Sequence, residues 1–404
     1  MAAQSEQATA SQTPTSRIPA LDGVRGVAIL LVLILHFSGA ASSSIGVPTA
    51  FVDTTWLRFA GVGWVGVDLF FVLSGFLITS ILYDAKGPAL AFFKNFYARR
   101  ALRIFPVYYA MLVFLFFVLP WVIPGEESAS AKLRENPLWL WFYLVNIQVY
   151  IDLTALVATS HLVGHLWSLA VEEHYYLVWP LIVFLFGRRS LIAITAVLIV
   201  AAAAVRFAMI ANGDAGFQVF VFSPARMDAL AVGSAIALLV RSHQGRVFLR
   251  AVAWPVAGAA FIGLVAMFIY KDGLPPFDPT VLRVGLSLLA AFFGGVVAAV
   301  VLAPQTSTLS RSLSWRPLRA LGKYSYAIYV IHSPVVRILV GHTNFASDIS
   351  SWAGFQLPGI IAAALVAFAI TMVLSLLSWR LIETPFLNLR SSFSSGQVRM
   401  SWGD

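Results

Sequence analysis

Apolar runs of about 18 residues or more recur along nearly the whole chain, separated by short polar or basic breaks. A helix of that length covers the ~30 Å hydrocarbon core of a bilayer. The pattern predicts spans over 20–40, 61–83, 103–123, 168–187, 190–211, 225–241, 251–271, 281–303, 324–341 and 357–380. The stretch 138–151 (LWLWFYLVNIQVYI) is apolar but too short to cross, and its Trp and Tyr content suits a membrane interface. The fold class is therefore an all-α integral membrane protein, with about ten transmembrane helices plus one short re-entrant or interfacial segment. Residues 1–17, rich in Ser, Thr, Gln and Ala, read as a disordered N-terminal tail. The body runs from 18 to 388, and 389–404 reads as a cytoplasmic tail.

Composition agrees: 59% of residues are hydrophobic and 11% charged, against roughly 25% charged in soluble domains. The charge of +9 follows from where Lys and Arg gather. They fill the connections 84–103, 188–189, 241–250 and 304–323, which share one side if the chain alternates. Basic loops mark the cytoplasmic side, so both termini are expected there, in a multi-pass protein of the cell membrane. A crossing by 138–151 would break this parity. No soluble module remains to bind nucleic acid. The absence of cysteine excludes disulfides, thiolate metal sites and a thiol nucleophile. No internal repeat supports an inverted-repeat transporter.

Ionisable residues within the apolar runs are the candidates for chemistry, because charge is expensive in a bilayer. Arg25 lies near the cytoplasmic end of the first span, and His36 follows eleven residues later. That is roughly 16 Å along a helix, on nearly the same face. Imidazole serves as base or nucleophile near neutral pH, or as a structural hydrogen-bonding group. Asp68 is placed either to orient His36 or as a buried structural acid. Ser74, next to Gly75, reads as a close-packing position. Arg100 and Arg103 share a helical face and suit either a membrane-surface anchor or a phosphate clamp. Glu172 and Glu173 stand at the expected outer end of their span, near His161, His165 and His174. The spacing of these histidines is not a zinc pattern, and no metal is expected. Arg206, Arg226 and Asp228 form a further outer cluster, and Tyr329 and His332, three apart, share a face.

The motifs LDGVRGVAILLVLILHF, GVDLFFVLSGFLI, RRALRIFPVYY, HLWSLAVEEHYYLVWP, RMDALAVG, YSYAIYVIHSPV and IETPF occur in this order from about residue 20 to 388. Together they resemble the acyltransferase-3 family of membrane O-acyltransferases. The resemblance implies transfer of an acyl group, usually acetyl, from cytoplasmic acyl-CoA to a sugar hydroxyl of a surface or secreted glycan. It implies His36 as the catalytic imidazole, with Glu172 or Asp68 as its partner. Arg25, Arg100 and Arg103 are expected to hold acyl-CoA. Trp167, Ser168, Arg226, Asp228, Tyr329 and His332 are expected around the acceptor. His174 and Tyr175 stand where the family usually has Gln and Phe, a departure that bears on the acceptor site. The chain looks like a stand-alone membrane domain without the extracytoplasmic domain fused to many relatives. A small glycoside such as a macrolide is the second acceptor class. The rival from another class is a glycolipid flippase, which would not consume acyl-CoA.

Overall fold

The computed structural model describes residues 18–46, 50–154 and 160–393, and among them all regular structure is helical. The expected tail 1–17 and the segment 394–404 lie outside these residues, as does the side chain of His161. The first half contains α1 (Pro19–Ile45), α2 (Phe51–Asp84), α3 (Ala89–Val122), α4 (Leu138–Trp141), α5 (Val145–Ile151) and α6 (Trp167–Leu185). The second half contains α7 (Arg188–Ala211), α8 (Met227–Leu239), α9 (His243–Tyr270), α10 (Val281–Leu302), α11 (Arg316–His342) and α12 (Leu357–Asn388).

Each predicted span falls on one of these helices. Among the described residues, α1, α2, α3, α7, α9, α10 and α12 are long and apolar enough to cross a membrane. The remaining three, α6, α8 and α11, are shorter or more polar, and they bear or adjoin most of the candidate site residues. The chain is a multi-pass membrane protein. Its outward faces carry large apolar side chains, such as Ile262 (70% exposed) and Ile269 (69%) on α9 and Leu365 (64%) on α12. In a bilayer such faces meet lipid.

Several helices extend beyond their predicted ends. α3 begins at Ala89 rather than near 103, because Lys94, Arg99 and Arg100 sit on helix and not in a loop. Backbone hydrogen bonding continues where apolarity stops. The short segment 138–151 forms α4 and α5, joined by a turn in which Tyr143 has φ +58°. Tyr143 is buried, so the tip of the segment lies inside the protein. The Tyr108 hydroxyl donates to the Leu140 carbonyl (2.7 Å), and Tyr109 donates to that of Trp141 (3.0 Å). Irregular backbone survives at membrane depth where protein groups satisfy it in this way.

Two close crossings set the geometry of the site. A Cβ on Gly322 of α11 would overlap the backbone of Asp22, and one on Gly26 of α1 would overlap that of Leu318. Glycine at both positions lets α1 and α11 approach backbone to backbone. Gly75 of α2 and Gly233 of α8 play the same part, meeting the backbones of Leu230 and Val72.

Candidate active site

The α1–α11 crossing brings two imidazoles together. The rings of His36 and His332 lie edge to face, with centroids 4.8 Å apart. His36 Nδ1 is 2.9 Å from the Val32 carbonyl and 3.3 Å from His332 Nε2. A carbonyl only accepts, so Nδ1 of His36 carries the proton and Nε2 holds the lone pair. His36 is half-buried, whereas His332 is fully buried. The third imidazole, His165, precedes α6 and packs on His332 with centroids 5.1 Å apart. Among the described residues, no group of three or more potential ligands is arranged to hold a metal ion. Each of these rings turns a nitrogen to a backbone carbonyl instead.

Ser168 and Tyr329, expected at the acceptor, are buried and brace α6 against α11. The Tyr329 hydroxyl lies 2.8 Å from the His165 carbonyl and 2.5 Å from the Ser168 hydroxyl, which is itself 3.3 Å from that carbonyl. Trp167 is buried against Phe71 and Phe220.

The carboxylates do not sit where a His36 partner was expected. Asp68 pairs with Arg226 at 2.9 Å, and Asp228 pairs with Arg206 at 2.8 Å. All four side chains are at most 4% exposed. The Arg226 guanidinium lies between the rings of Phe71, Trp167 and Phe220, 4.8 to 5.6 Å from their centroids. Arg206 also donates to the Ala225 carbonyl and to Ser287. Asp68, Arg226 and Asp228 are thus engaged with one another and with Arg206, tying α2, α7 and α8 together, while Asp68 Oδ2 and Arg226 Nε and Nη1 stay buried without a hydrogen-bond partner. Burial gives the reason: a charge removed from solvent requires a countercharge.

Glu172 stands in the second turn of α6. It accepts from Ser74 (2.7 Å) and Tyr176 (3.0 Å). The cations whose charge reaches it are Arg100 and Arg25. The Arg100 guanidinium lies 3.9 Å from the centroid of the Tyr176 ring, and its buried Nε has no hydrogen-bond partner. Arg103 shares the charge environment of Arg25, Arg100, Arg390 and Glu383. Arg25, Arg100, Arg103 and Glu172 are all half-buried. Glu383 and Arg390 were not singled out from the sequence, although the IETPF motif contains Glu383.

The candidate site therefore has two levels. An arginine level joins α1, α3 and α6, and a histidine level joins α1, α11 and the start of α6. Arg25 and His36 on α1 separate the levels by roughly 16 Å.

This arrangement can be set beside known proteins. A family model described as an acyltransferase domain matches residues 18–380. Peptidoglycan O-acetyltransferase OatA of Listeria monocytogenes is 30% identical over 91% of this chain and 55% of its own length. A Bacillus subtilis protein provisionally named peptidoglycan O-acetyltransferase YrhL is 31% identical over 79% of this chain and 48% of its own. The chain thus spans about half the length of these curated relatives. No solved structure matches. The family match takes in α1 through most of α12, both levels of the site included, and the chain belongs to the acyltransferase-3 family.

Proposed function

We propose that the chain is a membrane O-acyltransferase moving an acyl group, acetyl first among them, from cytoplasmic acyl-CoA to a sugar hydroxyl of a cell-surface or secreted glycan. The observation that carries this reading is the pair of accessible groups on one helix, Arg25 among the arginines and His36 among the histidines. Guanidinium groups suit the phosphates of coenzyme A, since their N–H forks match phosphate oxygens. The basic connections at the arginine end support a cytoplasmic placement for it, on the side where acyl-CoA is made. The thioester arm then extends along α1 towards His36.

At His36 the acceptor oxygen attacks the thioester carbonyl carbon. The hydroxyl proton passes to the open Nε2, the C–S bond breaks, and the proton moves on to the thiolate. An acyl-imidazole route would use the same nitrogen. Glu172 belongs to the donor end in this reading, where its charge acts on Arg100 and Arg25 at longer range. Exclusion of water by the helix bundle favours transfer over hydrolysis. The names of the relatives make peptidoglycan the first acceptor to assay, with small glycosides second.

The test is ester-linked acyl content of glycans and small glycosides, by mass spectrometry. Cells making the wild type, His36→Ala at equal membrane abundance, and no protein are compared. The expected result is an ester in the wild type alone, with transfer lowered on the order of 10²-fold or more in the variant. An ester equally abundant in the variant would remove His36 from the chemistry. Glycolipid translocation without acyl-CoA consumption would replace the enzyme with a flippase.

A further inference from the structure

We propose that His332, backed by His165, is the positioning residue for His36, and that a neutral imidazole occupies the place a carboxylate fills in other triads. This rests on the acyl-transfer reading above for its kinetic consequence, but its geometry stands on its own.

Backbone carbonyls fix the protons. His332 Nδ1 lies 2.7 Å from the Tyr329 carbonyl and 3.2 Å from that of Ile328, so Nδ1 is the protonated nitrogen. Its Nε2 lone pair then faces His36 Nδ1 at 3.3 Å. The His36 Nδ1–H is shared between the Val32 carbonyl and this lone pair. Both contacts oppose the other tautomer, in which Nε2 would carry the proton and lose its basicity. His165 Nε2 donates to the Val330 carbonyl at 3.2 Å, which holds that ring against His332. The Ser168–Tyr329–His165 bonds pin the same stretch of α11 to the start of α6. His332 is 0% exposed. It reaches a substrate only through His36, which makes it a positioning residue and not an acceptor-binding one.

The nearest alternatives are occupied. Asp68 is paired with Arg226, and Glu172 is bonded to Ser74 and Tyr176. Arg337 is the charged side chain that acts on His36, and His332 adds an acceptor there without adding a charge. When His36 takes the acceptor proton, the positive ring donates Nδ1–H to His332 Nε2. When it releases that proton to the thiolate, both rings return to their starting tautomers. No proton is gained or lost at His332.

The test uses the full-length protein, with acetyl-CoA as donor and membranes carrying the native acceptor. His332→Gln can present an oxygen near the former Nε2, whereas His332→Leu fills similar space without an acceptor. The expected result is a fall in kcat on the order of 10²-fold for Leu. KM for acetyl-CoA should stay within a few-fold, and Gln should recover most of the loss. Equal losses in both variants, or a loss confined to KM, would overturn the proposal. A second measurement needs no activity, and a His36 variant serves in it only to assign one signal among seven histidines. Nitrogen-15 spectra of histidine-labelled wild type should show His36 protonated at Nδ1 and bare at Nε2. A His36 protonated at Nε2 would overturn the proposal even if the Leu variant failed to fold. Failure of acyl transfer in the wild type, with the expected tautomer, would instead reject the proposed function and leave the geometry intact.

Discussion

Two sets of arginines lie within this bundle, and they are bonded in opposite ways. Arg206 and Arg226 are almost wholly buried, and each meets a carboxylate within 3 Å. Arg25, Arg100 and Arg103 are half-buried, and the acidic groups near them act at longer range. The first set neutralises itself and ties helices together. Charge balance does not use every polar atom of that set, since Arg226 Nε and Nη1, Arg206 Nε and Asp68 Oδ2 are buried without a hydrogen-bond partner. The second set has no carboxylate at ion-pair distance among the described residues and is the set proposed above to meet the donor. Arg226 and Asp228, expected from the sequence around the acceptor, are members of the paired set.

The sharpest way to break this contrast is to unbalance the buried set. Asp68→Ala leaves Arg226 buried without its partner, and such a change destabilises by about 3–5 kcal/mol. Thermal unfolding of the purified protein should show a large drop. The double variant Asp68→Leu with Arg226→Met removes both charges and should recover most of the loss, since apolar replacement of a buried pair is often neutral. Recovery of stability without recovery of acyl transfer would move Arg226 back to the acceptor site.

The open set should respond in the other direction. Arg100→Ala removes a guanidinium whose stable contact is the Tyr176 ring. Its cost should appear in donor binding, with KM for acetyl-CoA rising roughly tenfold or more, the scale of a charge-assisted hydrogen bond. The unfolding temperature should hardly move. Arg103→Ala should behave alike. A large loss of stability with unchanged KM would make this level structural too, and would sink the distinction between the sets.

Apolar periodicity made the spans legible, including the distinct character of 138–151. It missed where helices continue past the apolar run, as at Ala89, because backbone hydrogen bonding there does not depend on apolar side chains. The alignment of Arg25 with His36 was legible because helical rise and twist are local rules. Partner choice was not, because it depends on how helices cross. The sequence names His332, but only the contact of Gly26 and Gly322 with facing backbone brings it to His36. The partners of Glu172 were hidden for a related reason, since Ser74 comes from another helix and the Arg100 charge from a third.

Ser74 offers the smallest and most discriminating effect. Its hydroxyl donates to Glu172 at 2.7 Å, and Tyr176 donates to the other carboxylate oxygen. Ser74→Ala removes one of these two bonds, and the half-buried site allows water to replace part of it. The loss should be about 1 kcal/mol, a few-fold rise in KM for acetyl-CoA with kcat unchanged. The effect enters through KM because Glu172 faces Arg100 and Arg25, not the imidazoles. Steady-state kinetics on equal amounts of folded protein decide the matter. If Ser74→Ala instead abolished turnover while donor binding held, the hydroxyl would be the nucleophile, and the chemistry would have to move from the histidine level to the arginine level.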